Sequence, residues 1–156
     1  MDYLIVKYLH VLSSTILFGT GIGSAFYLLT TALTRDARAL AVVSRWVVRA
    51  DWLFTATTAV LQPLTGLWLA HAAGLPLRTP WLLASLVAYA AAIGCWLPVV
   101  WLQMRMRDIA RSGAEAGALP RRFWTFFWTW FGLGIPALLL FLGIFWLMVA
   151  KPAAVG

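Results

Sequence analysis

An all-α fold, a polytopic membrane protein built as a four-transmembrane-helix antiparallel bundle, is predicted by the apolar pattern of this sequence. Four apolar segments, each long enough to cross a hydrocarbon layer of about 30 Å, lie at residues 4–33, 52–72, 81–104 and 123–149. The chain is 63% hydrophobic and 11% charged, which is too apolar for a soluble domain of this length. No segment alternates as a barrel strand would, so we expect helices in one integral membrane domain, residues 1–156.

The basic residues predict how these helices cross the membrane. Nine of the twelve lysines and arginines fall in two predicted loops, residues 34–51 and 105–122. The positive-inside rule places both loops in the cytoplasm and both termini outside it, as a multi-pass protein of a bacterial inner membrane. Tryptophans near the ends of the segments support these borders. The charge is explained by topology and the lipid bilayer, and no nucleic-acid partner is expected.

The first segment is predicted to form a helix with one face of small and weakly polar residues. It lacks a basic start and a small-residue cleavage site, so we expect it to remain in the mature protein. Gly19 and Gly23 are predicted to bring this helix close to a neighbour. His10 lies on the same face, and Ser14 follows it by one turn.

The second segment has a polar face that cannot point toward lipid, because five polar residues recur at steps of three or four. They are Asp51, Thr55, Thr58, Gln62 and Thr65. These side chains either join helices through hydrogen bonds or line a polar interior, to which Gln103 of the third segment also belongs. Asp51 is expected to pair with Arg45, Arg49 or Arg105. Pro63 leaves a backbone carbonyl one turn earlier without its helical partner, and Thr55, Thr58 or a water is expected to bond it.

The short loop at residues 74–80 predicts that the second and third helices are antiparallel neighbours. The fourth segment is almost purely apolar and is expected to close the bundle by packing alone. The single cysteine, Cys95, excludes an intramolecular disulfide and is expected to be a small buried apolar residue. No activated serine or cysteine arrangement that would indicate a hydrolase is present in the sequence.

The two histidines are both predicted to lie in the outer half of the bundle. A histidine inside a membrane is costly unless it pairs, coordinates a metal or relays protons, and imidazole is a common ligand of haem iron. For His10, a ligand and a satisfied core histidine are both open interpretations. His71 is explained by an interfacial position, and it can be a second axial ligand only if the second helix tilts or slides.

Four stretches resemble a bacterial integral-membrane family of unknown function: YLHVLSSTILFGTGIGSAFYL (8–28), VRADWLFTATTAVLQPLTGLWL (48–69), CWLPVVWLQMRMRD (95–108) and GIPALLLFLGIFWLMVAKP (134–152). More distantly, the layout resembles the HemJ-type protoporphyrinogen oxidases, in which a first-helix histidine is associated with haem b. That resemblance implies haem b ligation by His10. The chain reads WLLASL at 81–86, where those proteins carry a functional lysine, so haem binding is implied more than their oxidation reaction.

The leading functional hypothesis is a haem b (porphyrin)-binding protein that transfers electrons or oxidises a lipophilic substrate, a HemJ-like oxidoreductase, with a homo-oligomer or a redox partner beside it. Its cofactor-binding residues would be His10, through the haem iron, with Ser14, Gln62 and His71. The alternative is a non-haem protein that binds or transports a small lipophilic molecule. Its polar interior would comprise Asp51, Thr55, Thr58, Thr65 and Gln103, and these residues with Gln62 would line the cavity for that molecule. A structural subunit of a membrane complex is the third possibility.

Overall fold

Four helices make up the computed structural model, which describes residues 2–152. They are α1 (Tyr3–Thr34), α2 (Ala37–Ala72), α3 (Pro80–Ala116) and α4 (Arg121–Ala150). Each is long and apolar enough to cross a membrane, and residues 2–152 contain no strand. The predicted all-α, four-helix membrane architecture is confirmed.

Local signals in the sequence set the helix ends. Asp36 caps α2, because its carboxylate accepts hydrogen bonds from the backbone N–H groups of Arg38 and Ala39 at 2.8 and 3.2 Å. Arg35, with φ of 56°, makes the tight turn from α1 to α2. Gly117 ends α3 with φ of 74°, a left-handed conformation that glycine adopts without steric cost. These short turns make sequential helices antiparallel.

The two predicted basic loops are largely helical, which corrects the expectation of long polar connections. α2 already begins at Ala37, and α3 continues to Ala116. The added turns of α2 are amphipathic: Leu40, Ser44 and Val47 are buried at helical spacing, while the arginines of the segment are exposed. The buried residues of this segment recur at helical spacing in the sequence, but its many charged residues led to the prediction of a loop.

The arginines of residues 34–51 and 105–122 lie at one end of the bundle, which we call the arginine-rich end. The best-packed core lies at this end. Leu28, Leu40, Met106, Phe123 and Phe127 are its largest nearly inaccessible apolar side chains. The first part of α2 packs on α3 and its later part packs on α1, while α3 and α4 pack along each other. Many large apolar side chains elsewhere are exposed, as expected of surfaces that face lipid.

Aromatic side chains and cations meet at both borders of the bundle. The Arg35 guanidinium lies 5.7 Å from the ring centre of Trp124, which joins the end of α1 to the start of α4. At the opposite end, the Lys151 ammonium lies 6.0 Å from the ring centre of Trp81 and joins the end of α4 to the start of α3. Such pairs let a basic side chain extend along an aromatic ring at the membrane interface.

Candidate functional site

A π-helical turn interrupts α2 at Asp51–Thr55, where the polar face of the helix begins. The backbone N–H of Ala56 donates to the carbonyl of Asp51, one residue further back than in an α-helix. The Thr55 hydroxyl donates to Asp51 Oδ1 at 3.0 Å, and both side chains are buried. Single π turns are frequent at functional sites, and this one places a carboxyl group inside the protein.

Asp51 is not paired with an arginine, which corrects the predicted ion pair. Within residues 2–152 the salt bridge found joins Arg107 to Asp108, at 2.8 Å. Arg45 and Arg49 lie over the ring of Trp46 at the surface of the bundle. Asp51 is only 4% exposed and faces inward. An arginine would have to enter the bundle to reach it, whereas outside the bundle water and headgroups solvate the guanidinium group.

Two buried polar atoms near Asp51 have no hydrogen-bond partner. The amide of Gln103, on α3, lies beside the Asp51 carboxyl. Gln103 Oε1 is left without a donor, and the indole Nε1 of Trp130, on α4, is left without an acceptor. Both residues are 4% exposed. An unbonded buried donor and an unbonded buried acceptor are each costly, so their presence in one region needs an explanation.

An interhelical cavity of about 260 Å³ lies beside these two residues: all four helices line it, and Gln103 and Trp130 are among its lining side chains. Its polar lining residues are Ser24, Asp51, Thr55, Gln103 and Trp130. The remaining wall is apolar and continues along α3 to Ile93, about 15 Å away at 1.5 Å per residue. The cavity is therefore elongated, with hydrogen-bonding groups at one end and aliphatic and aromatic side chains along the rest.

A second polar cluster joins α1 to the outer part of α2. The Gln62 amide nitrogen donates to the carbonyl of His10 and to the hydroxyl of Ser13, both at 2.8 Å. The Ser13 hydroxyl itself donates to the His10 carbonyl at 3.1 Å. Gln62 thus joins the two helices with a buried network, which accounts for a side chain that would be costly to bury alone.

The imidazole of His10 is held in one orientation. Its Nδ1 lies 2.8 Å from the Thr65 hydroxyl, and that hydroxyl donates to the carbonyl of Leu61 at 2.6 Å. A hydroxyl has one hydrogen to give, so in the arrangement in which Thr65 donates to the Leu61 carbonyl it accepts from His10, and Nδ1 carries the proton. His10 Nε2 then has a free lone pair. The ring rests on Gly66, where an added Cβ would lie 3.1 Å from His10 Cε1.

Pro63 leaves the carbonyl of Ala59 without its helical donor, as the sequence predicts. The partner is neither Thr55 nor Thr58: the hydroxyl of Tyr89, on α3, donates to this carbonyl at 2.6 Å. Thr55 donates to Asp51, and Thr58 donates to the carbonyl of Phe54 at 2.6 Å. This correction ties α2 to α3 at the level of the cavity.

The sequence-predicted site residues therefore separate into two groups and three outliers, of which Thr58 is buried but bonds only its own helix. Asp51, Thr55 and Gln103 border the cavity, whereas Gln62, Thr65 and His10 form the second cluster. Ser14 bonds its own helix at the carbonyl of Val11, and Ser13 is the serine that faces α2. His71 is exposed. It follows Gln62 by nine residues, a spacing that places it on the opposite face of the helix.

The predicted packing through Gly19 and Gly23 is wrong. A Cβ added at either position would have no neighbour within 4 Å, outside its own turn of helix. A glycine at which α1 does approach α2 closely is Gly66, opposite His10, and the sequence signal for it was weak because the chain contains 12 glycines. The sequence analysis did not include Trp130 among the candidate site residues, because its helix is apolar throughout. The available signal was its position away from the helix ends, since an indole N–H buried there needs a hydrogen-bond partner.

Residues 4–152 match the profile of a family described as "Predicted integral membrane protein (DUF2269)". The chain belongs to this family. It is thus a multi-pass integral membrane protein, which agrees with the four apolar helices and with the bacterial membrane family that the sequence resembles. No curated protein and no solved structure matches the chain. Among residues 2–152, no three or more His, Cys, Asp or Glu side chains form a group that could hold a metal ion.

Proposed function

We propose that this membrane protein binds a small, elongated lipophilic molecule with a polar end in the cavity between its four helices. The observation that carries the proposal is a mostly apolar cavity in which two lining residues, Gln103 and Trp130, each have a buried polar atom without a partner, Oε1 and Nε1. The cavity lies near the lower limit of the roughly 300–1,000 Å³ typical of small-molecule sites, so it fits one slender molecule.

The orphan groups also indicate the polar end of the ligand. Gln103 Oε1 requires a donor, and the Trp130 indole requires an acceptor. A ligand hydroxyl offers both, since it donates one hydrogen and accepts through its lone pairs. A lipophilic alcohol or phenol therefore fits better than a pure hydrocarbon or a ketone, which offers acceptors alone.

Matched probes test this proposal directly. 4-Hexylphenol and hexylbenzene share an apolar tail and a ring and differ by one hydroxyl. We expect 4-hexylphenol to raise the thermal unfolding temperature of the detergent-purified protein more than hexylbenzene does, because it stabilises the folded state by binding. The double variant Gln103→Leu, Trp130→Phe should lose this difference.

The matched control is Trp128→Phe, because Trp128 is exposed on the same helix. It should keep the difference between the two probes. Equal stabilisation by both probes in the wild-type protein, or an unchanged preference in the double variant, would contradict the proposed ligand class.

A second candidate is haem b at His10, and the observation that favours it is the 2.8 Å contact between Nδ1 and the Thr65 hydroxyl, because donation by Nδ1 would leave the lone pair of Nε2 for iron. Nδ1–H donation to Thr65 fixes the neutral tautomer that ligates iron, an arrangement common for ligating histidines. Bound haem would supply the redox chemistry for electron transfer or for oxidation of a lipophilic substrate. His10 does not line the interhelical cavity, so this site would be separate from it.

Absorbance tests the haem candidate. Protein produced with ample haem should show a Soret band that His10→Ala removes, while His71→Ala, at an exposed residue, should leave the band intact. Absence of a Soret band in the wild-type protein would reject haem. A band that survives His10→Ala would reject His10 as the ligand.

We also propose that the arginine-rich end faces the cytoplasm of a bacterial cell and that both termini lie outside it. The fold supports this orientation, because the turns at 35–36 and 117–120 fall at the same end of the bundle and the arginines cluster there. Cysteines introduced at 115 and 76 test it in intact cells. An impermeant maleimide should label position 76 and spare position 115, and the reverse pattern would invert the topology.

A further inference from the structure

A groove of about 710 Å³ opens between the end of α3 and the start of α4, at the arginine-rich end of the bundle. It is separate from the interhelical cavity, with which it shares no residue. Its lining includes two arginines, a serine and several apolar side chains. Those used below are Arg105, Ile109, Ser112, Leu119, Arg122 and Phe126.

The two arginines are fixed at the border of the membrane by aromatic rings. The Arg105 guanidinium lies 5.4 Å from the ring centre of Trp101, and that of Arg122 lies 5.1 Å from the ring centre of Phe126. Both arginines are exposed, and within residues 2–152 neither forms a salt bridge. Their donors are therefore available to an anion, while cation–π contacts limit the directions in which they point.

The acidic residue in the groove does not cancel this charge. Asp108 is bonded by its neighbour, with Arg107 Nη2 at 2.8 Å and Arg107 Nε at 2.9 Å from the same carboxylate oxygen. The start of α4 adds to the positive field, because no side chain caps its first N–H groups. The groove consequently attracts negative charge.

Gly113 shapes the groove. It is buried in the last turn of α3, and an added Cβ would lie 2.9 Å from both the carbonyl oxygen of Ala118 and the side chain of Leu119. Glycine at this position lets residues 118–119 fold back against the helix. The result is a concave surface with cations at its rim and apolar side chains of Ile109, Leu119 and Phe126 on its walls.

We propose that this groove binds the phosphate of an anionic membrane phospholipid, with Arg105 and Arg122 on the phosphate and the apolar walls against its glycerol and upper acyl chains. A soluble phosphate would use the two arginines alone. The position of the groove at the aromatic border of the helices and its apolar walls favour the lipid, because basic pockets between transmembrane helices suit anionic headgroups at this depth.

Native mass spectrometry of the intact, detergent-purified protein with added phosphatidylglycerol or phosphatidylcholine tests the assignment. The wild-type protein should retain phosphatidylglycerol at least tenfold more strongly than phosphatidylcholine. The double variant Arg105→Gln, Arg122→Gln should lose most of the preference for phosphatidylglycerol over phosphatidylcholine. The matched control Arg38→Gln, Arg111→Gln removes the same charge from two exposed arginines outside the groove and should change it less than twofold.

A further variant and a competition experiment complete the test. Gly113→Ala changes no charge but should weaken phosphatidylglycerol retention, while the helical circular dichroism of the protein stays as in the wild type. Glycerol 1-phosphate at the same concentration should not compete with the lipid. Equal losses in the two arginine double variants would overturn the groove as the site. Full competition by glycerol 1-phosphate would overturn the lipid in favour of a soluble phosphate.

Discussion

Replacing Tyr89 with phenylalanine removes one hydroxyl and leaves the aromatic ring, so it isolates the bond between α3 and the bend of α2. That hydroxyl donates to the carbonyl of Ala59 at 2.6 Å, and Pro63 cannot supply the usual helical N–H. In Tyr89→Phe the carbonyl therefore loses its partner inside the bundle. The ring should keep its edge-on contact with Phe141, whose centre lies 6.3 Å away.

The size of the effect follows from the chemistry of the carbonyl. Hydrogen bonds between transmembrane helices contribute about 0.6 kcal/mol on average and up to about 1.7 kcal/mol. An acceptor left buried and unbonded costs about 1–3 kcal/mol. We expect Tyr89→Phe to lower the free energy of unfolding by about 1–2 kcal/mol. Tyr8→Phe, at an exposed tyrosine, should change it by less than about 0.5 kcal/mol.

A double-mutant cycle separates this explanation from a general loss of packing. Pro63→Ala restores a backbone N–H that can reach the Ala59 carbonyl, so the hydroxyl of Tyr89 becomes dispensable. Tyr89→Phe should then cost at least about 0.5 kcal/mol less in the Pro63→Ala background than in the wild type. Reversible unfolding in mixed micelles, followed by circular dichroism, measures all four proteins. An identical cost in both backgrounds would refute the reasoning.

Two further substitutions test the second polar cluster. Gln62→Leu should lower the free energy of unfolding by about 1–3 kcal/mol, because it leaves Ser13 and the His10 carbonyl without their interhelical donor. Thr57→Leu should be nearly neutral, since Thr57 is exposed and bonds its own helix, and equal effects in the same unfolding assay would contradict the assigned network. Gly66→Ala should cost about 1 kcal/mol or more, because the His10 ring that it would press against is held by Thr65. Gly19→Ala, with no neighbour within 4 Å, is its control, and a neutral Gly66→Ala would show that the ring moves freely.

The sequence by itself determined the architecture and one face of its interior. Segment lengths and hydropathy require four membrane-spanning helices, since lipid offers no partner to an open backbone. The spacing of Asp51, Thr55, Thr58 and Gln62 predicted a single face of α2, and all four side chains are buried in the structure. Helical periodicity is a local property, so it can be deduced without knowing the neighbours.

The tertiary structure decided which groups meet. The Asp51 carboxyl is buried while Arg45 and Arg49 lie over Trp46 at the surface, and Tyr89 rather than a threonine bonds the carbonyl that Pro63 leaves free. Whether Ser13 or Ser14 faces Gln62 depends on the rotation of α1, which its many small residues leave undefined. The cavity with Gln103 and Trp130 at its polar end arises where four helices fail to fill the space between them. Such a void depends on the shapes of side chains from all four helices at once, and no single segment encodes it.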